Sequence, residues 1–166
     1  MANRVSSHGR GLTAERIVDA AARVYDRGGD DFSLRELGAE LGVHPTAMYR
    51  HFRDKQEILL AVADRALEGV AAAADQSTDP FVAAGLITRS LRKALLTRPS
   101  AARVLSSGPA RQPNELELSD RLLGCLRAGG LGDLDAVDAY HTLIEYAVGS
   151  AVIDHPLWSL ENDDRQ

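Results

Sequence analysis

The sequence predicts an all-α protein: a three-helix, helix-turn-helix head joined by a long helix to a helical-bundle body. Three observations predict it. Apolar residues recur at three- and four-residue spacing from Leu12 almost to the C-terminus. Side chains that cap helices, with Pro and Gly, mark where the segments start and stop. No segment alternates as a strand would, and there is no internal repeat or extended low-complexity stretch.

Taking the elements in order, residues 1–11 are small, polar and glycine-bearing, with Arg4 and Arg10, and read as a disordered basic arm. Thr13 is an N-cap for a helix striped by Ile17, Ala21 and Val24, which Gly28-Gly29 stops. Ser33 and Glu36 form a capping box, with Phe32 and Leu37 placed as a hydrophobic staple. Leu37 and Leu41 stripe that second helix and Gly42 ends it. Pro45 then stands at the first position of a third helix. Ile17, Val24, Leu37, Leu41, Val43, Met48 and Phe52 are available as a shared core.

Asp54 and Glu57 repeat the capping box and open a long helix over about 55–74, striped by Ile58, Leu59, Val62, Ala66 and Val70. This helix links head to body and ends in a turn cluster, Gln76 to Pro80. Further helices are expected at roughly 81–97, 100–107, 114–128 and 133–154. They are separated by Arg98-Pro99, by the loop Ser107 to Pro113, and by Gly129 to Gly132.

At 166 residues, 45% hydrophobic and 26% charged, the chain is long enough for one core or for a small head plus a larger body. Its net charge of −5 divides unevenly. Residues 1–55 carry nine Lys/Arg against eight Asp/Glu, or +1, and residues 56–166 carry ten against sixteen, or −6. An acidic body is repelled by phosphate and a locally basic head is not, above all if Asp26, Asp30 and Asp31 share a turn facing away from it. No apolar run approaches the roughly 20 residues that span a bilayer, and residues 1–11 lack the apolar core of a signal peptide. A single cysteine, Cys125, fits a reducing cytoplasm and reads as a small core residue.

The stretch Ser33 to Lys55 carries the chemistry. Two short helices at a tight Gly42 corner form the geometry in which the second enters a DNA major groove. Counting from Pro45, Thr46, Ala47 and Arg50 lie near the exposed face, with Met48 and Phe52 turned inward. Arg50 has the fork that pairs with guanine, and Thr46 or Ala47 suits a thymine methyl. Tyr49 and His51 suit phosphate oxygens. Lys55 is a cation in the first turn of a helix, against the macrodipole, which makes sense where ammonium and helix amides converge on one phosphate. Arg35, in the first turn of the preceding helix, is a further candidate.

From Thr13 to about Ala63 the chain resembles the DNA-binding head of the TetR family of bacterial transcriptional repressors. The string Leu41-Gly42-Val43, Tyr49-Arg50-His51-Phe52, Lys55 and Leu59 is the part most specific to it. The resemblance implies that Tyr49 and Lys55 hold phosphates, and that Arg35, Pro45, Thr46, Ala47, Arg50 and His51 contribute base or backbone contacts. His44 stands where the family usually places a Ser or Thr cap.

The body, about 80–154, is similar to the ligand-sensing region of the tetracycline-repressor type. The domains implied are an arm over 1–11, a DNA-binding head over 12–56 and an effector-binding, dimerisation body over 57–166. The function implied is that of a homodimer on a palindromic double-stranded operator, released by a small molecule. The chain ends soon after Trp158, where relatives continue with helices that help to build the dimer interface. Either it is trimmed or dimerisation rests on what remains. Arg98-Pro99 falls where tetracycline sensors place a metal-binding His, which argues against a tetracycline–magnesium ligand.

Asp138, His141 and Glu145 share a helix face at the border of an apolar stripe of Leu134, Val137, Ile144 and Val148. They read as a solvated or salt-bridged helix edge, as polar lining of an effector pocket, or as the His and Glu of a metal site. The last finds no second helix with clear partners, since His155 falls in a Pro turn. Phe81, Tyr140, Tyr146 and Trp158 are the aromatics for a pocket, a core or a dimer seam. Phe81, Tyr140, His141 and Glu145 are thus the candidate effector residues, with no catalytic residue, metal or cofactor expected. The competing readings are a helical protein-interaction module and a small helical enzyme or metal-binding protein using His141 and Glu145.

Overall fold

The computed structural model describes residues 11–28, 33–108 and 111–163, with side chains described as far as Asp154. The expected arm over 1–10, the stop at Gly29, the Phe32 staple, the Asp30-Asp31 turn and the side chains of His155 and Trp158 lie outside what is described. Within it every regular element is helical. The head comprises α1 (Ala14–Gly28), α2 (Leu34–Leu41) and a 3₁₀ helix, η1 (Pro45–Arg50). The body comprises α3 (Lys55–Ala66), a second 3₁₀ helix, η2 (Ala71–Gln76), α4 (Pro80–Thr97), α5 (Pro99–Ser106), α6 (Pro113–Ala128) and α7 (Asp133–Asp163).

Head and body share one continuous apolar core. Ile17, Leu37 and Met48 are buried in the head, Ile87 and Leu95 in the middle, and Leu122 and Ala147 at the far end. Val24 and Phe52 join them, as their spacing predicts, while Leu41 and Val43 stay half-buried at the rim. α3 is the junction, packed on α1 and on α5. α4, α6 and α7 pack on one another beyond it.

The long helix expected over 55–74 is broken. α3 stops at Ala66, the chain turns through Leu67 to Val70, and η2 resumes at Ala71. Gly69 holds φ +74° in that turn, a left-handed value foreign to a helix. The alanine spacing alone could not place the break. The turn leaves Leu67 and Val70 buried, and Ala71, Ala73 and Ala74 press η2 against its neighbours α4 and α6. Conversely α7 runs past the expected end at 154 and through His155-Pro156, where a turn was expected, forgoing the one amide bond that Pro156 cannot make.

Two body helices lack a cap of their own. α5 and α6 each open on a proline, behind Arg98 and Gln112, and neither residue caps the helix with its side chain. The missing acceptors come from elements far away in sequence. The Asp26 carboxylate, near the end of α1, accepts the Ser100 amide at 2.8 Å. The Asp64 carboxylate of α3 accepts the Asn114 amide at 2.8 Å and the Glu115 amide at 3.3 Å. It also accepts the Asn114 side-chain amide at 2.9 Å. These are N-cap bonds supplied from outside the helix they cap.

Candidate nucleic-acid interface

α2 is fixed at both ends before the corner begins. Ser33 and Glu36 form the reciprocal box: the Glu36 amide donates to Ser33 Oγ at 3.2 Å and the Ser33 amide to Glu36 Oε2 at 2.9 Å. Gly42 closes the helix in the left-handed conformation. The Val43 amide then turns back to the Gly38 carbonyl at 2.9 Å. This turn requires Gly38. A Cβ there would stand 2.9 Å from the Val43 carbonyl oxygen and 3.3 Å from the Pro45 ring.

The element that follows is a 3₁₀ helix of six residues rather than the α-helix the sequence suggests. His44 serves as its cap, since Nδ1 accepts the Thr46 amide at 3.4 Å and lies 2.8 Å from Thr46 Oγ1. The ring thus does the work of the Ser or Thr usual at that position. With three residues per turn, Thr46 and Tyr49 fall in line, as do Ala47 and Arg50. Met48 is buried and Phe52 nearly so, which seats the element on the head. Thr46, Arg50 and His51 are exposed, Tyr49 is 55% exposed, and Ala47 is half-buried.

Electrostatics sharpen that surface. Glu40 accepts Arg23 at 3.1 Å and Arg27 at 2.7 Å, and these two guanidinium hydrogen bonds hold its carboxyl below the usual carboxylate range. Glu36 is lowered by its bonds to Ser33 and, less, by the charge of Lys55. Asp54 accepts the Glu57 amide at 2.8 Å as the cap of α3. Glu57 answers to the Arg53 amide rather than to Asp54, so the second box is offset by one residue. Asp26 is taken by the body. Asp26, Glu36, Glu40 and Asp54 therefore act inside the protein, while Glu15 and Asp19 stay exposed on α1. Arg35 and Arg50 are exposed and make no hydrogen bond or ion pair among the described residues. Lys55 opens α3, half-buried, with its charge reaching Glu36 at the start of α2. The start of α3 thus carries an ammonium whose charge is felt at the start of α2, and a helix N-terminus with its own cation is suited to phosphate.

Of the four candidate effector residues, Tyr140, His141 and Glu145 line one cavity of about 350 Å³. Phe81 does not. Its ring lies over the Gly129 turn, 2.7 Å from where a Cβ would stand, and it is 52% exposed. It sits in the first turn of α4, ten residues and about 15 Å from Leu91, the α4 residue that reaches the cavity. Asp138 is exposed outside it, and no group of three metal-ligating side chains occurs among the described residues. Of the stripe on α7, Ile144 and Val148 line the cavity, whereas Leu134 is 83% exposed.

Sequence reasoning missed the residues that tie this cavity to the head. Leu105 and Ser106 of α5 line it, while the same helix is held to α1 through Ser100 and through Arg103. The Arg103 guanidinium donates to the Tyr25 carbonyl at 3.0 Å and lies 4.6 Å from the Tyr25 ring centroid. One signal was there to read: Pro99 and Pro113 begin helices that no preceding Ser, Thr, Asp or Asn caps.

A family model described as bacterial regulatory proteins, tetR family, matches residues 17–62, and one described as tetracyclin repressor-like, C-terminal domain, matches 84–166. An HTH-type transcriptional regulator of Saccharopolyspora erythraea is 32% identical over 143 residues, covering 84% of this chain and 59% of that protein. The chain spans about half to two thirds of the length of the curated relatives it matches. The crystal structure of BioQ with its double-stranded DNA operator is similar at a TM-score of 0.75 and 32% identity, covering 88% of this chain and 89% of that one. That of a single-residue variant of TetR from Acinetobacter baumannii in complex with minocycline is similar at 0.77 and 25% identity, covering 93% and 88%.

Proposed function

The chain belongs to the TetR family of bacterial regulatory proteins, and from that premise we propose that it is a DNA-binding transcriptional repressor of the cytoplasm. It acts as a homodimer on a palindromic operator and lets go when a small molecule fills the body cavity. One observation carries the reading: Arg35, Tyr49, Arg50 and His51 share the exposed surface of the head while Asp26, Glu36, Glu40 and Asp54 are engaged internally. The solved complex of BioQ with its operator supports DNA as the partner of such a head.

Tyr49 and Lys55 hold phosphates and fix the register, and Arg50 with Thr46 and Ala47 reads base edges. Arg35, Pro45 and His51 complete the contacts. What supports the dimer is the apolar surface exposed along α7, to which Leu134, Val137, Tyr146, Val152 and Ile153 contribute. Two heads so joined address major grooves about 34–36 Å apart. No helix among the described residues is long and apolar enough to cross a membrane.

Release runs through α5. Its C-terminal part walls the cavity and its first turn rests on Asp26 of α1, so a ligand that shifts α5 shifts the head. A coupling of about 1–3 kcal/mol changes operator affinity roughly 5–150-fold. Selecting duplexes from a random pool with the purified protein tests the reading: a two-fold symmetric site is expected, and no enrichment at low salt refutes it.

A further inference from the structure

The cavity against α7 has a chemistry that selects its occupant. Its walls are aliphatic, from Leu67, Leu91, Leu105, Leu118, Ile144 and Val148, contributed by the turn after α3 and by α4, α5, α6 and α7. Among the described residues the charged groups that line it are two carboxylates, Glu115 of α6 and Glu145 of α7, beside the imidazole of His141, with no lysine or arginine. Glu115 accepts the Arg111 amide, a bond that leaves the carboxylate its charge. Glu145 makes no hydrogen bond or ion pair among the described residues. Tyr140 adds an aromatic ring anchored by its hydroxyl, which lies 2.7 Å from Ser119 Oγ.

We propose that this cavity binds a lipophilic organic cation, an ammonium-bearing molecule of modest size whose apolar part lies among the leucines and whose charge meets Glu145 and Glu115. The proposal rests on reading the cavity as the effector site and names the class of effector. An apolar cavity draws in apolar mass, and at about 350 Å³ this one is near the small end of ligand pockets. Charge decides between otherwise equal guests. Glu115 is half-buried, and Glu145 and His141 stand at the exposed rim of the cavity. A carboxylate ligand would face two like charges with no lysine or arginine among the described lining residues, and a neutral one would meet neither attraction nor repulsion. An ammonium is drawn to the two carboxylates, and the Tyr140 ring attracts it further. The wider groove between η2, α4 and α6 offers no such contrast, since its acids Glu117 and Asp120 stand with Arg121 over a shallow floor of alanines.

The test uses three compounds of one shape, 4-phenylbutylammonium, 4-phenylbutanol and 4-phenylbutyrate, titrated calorimetrically into the full chain. The ammonium is expected to bind at least tenfold more tightly than the alcohol, and the carboxylate most weakly. In the Glu115→Gln/Glu145→Gln double variant the ratio of ammonium to alcohol affinity should fall about tenfold, while retained alcohol binding reports an intact cavity. Equal or tighter binding of the carboxylate, no binding by any of the three, or an undiminished ratio in the double variant overturns the proposal. A second arm follows release of a duplex selected from a random pool. Ammonium binding without release upholds the cation site and removes its effector role, whereas release at lower concentrations of the alcohol or the carboxylate than of the ammonium keeps the effector site and overturns the cation.

Discussion

The Asp26 carboxylate of α1 accepts the backbone amide of Ser100 at 2.8 Å, so a helix of the body begins on a side chain of the head. Ser100 is buried and the helix it opens has no side-chain cap of its own. Asp64 of α3, the junction helix, likewise caps α6. Both helices wall the cavity, and both start on carboxylates of elements that support the recognition surface. Wall and head therefore share hydrogen bonds as well as apolar contact, which gives a ligand something rigid to move.

Removing the Asp26 cap should loosen that joint. Asp26→Ala is expected to cost about 1 kcal/mol in urea unfolding, the usual worth of an N-cap, and more if the Ser100 amide stays dry. It should also shrink any ligand-induced change in operator affinity. A variant as stable as the parent, with full ligand response, would show that the bond is incidental.

Asp64→Ala removes the acceptor for two helix amides and for the Asn114 side chain. A loss of about 1–2 kcal/mol is expected. Amide hydrogen exchange reads it locally: Asn114 and Glu115 should lose protection well before the buried middle of α6 at Leu122.

The recognition surface separates into base-reading and phosphate-holding residues. Arg50→Ala should cost about 1–3 kcal/mol and relax preference at one base pair. Lys55→Ala should weaken all duplexes alike and lower the salt slope by about one. Salt titrations of both variants on the selected site and on a scrambled one tell the two roles apart, and an unchanged slope for Lys55→Ala removes it from the phosphate contacts.

Gly38→Ala pits helix propensity against space. Alanine gains up to about 1 kcal/mol over glycine in a helix. Here its methyl meets the Val43 carbonyl at 2.9 Å, backbone that moves only with the turn. Overpacking of about 1–3 kcal/mol should win, lowering both the thermal midpoint and operator affinity. A more stable variant with undiminished DNA binding would contradict the tight-turn reading.

The pH response of the head should follow Glu40. Its folded carboxyl titrates below its ordinary 4.5 because Arg27 and Arg23 bond the charged form. A lowered acid pKa stabilises the fold above the unfolded value, and that contribution disappears as pH falls through the folded one. The melting difference between parent and Glu40→Gln is therefore expected to be full at pH 6–7 and to shrink as pH falls below the ordinary carboxylate range. A gap that widens on acidification would reverse the sign.

Local chemistry was legible in the sequence by itself. The Ser33–Glu36 box, the Gly42 corner, Pro45 and the inward Met48 and Phe52 follow from contacts within a few residues, so spacing suffices to place them. The string from Leu41 to Leu59 carried the family with them. Tertiary structure alone decided the rest. The break at Gly69, the 3₁₀ form of Pro45–Arg50, the exile of Phe81 from the cavity and the caps lent by Asp26 and Asp64 depend on partners in other elements. A capping carboxylate 74 residues from its amide leaves no period to read. Only the shared core brings the two together.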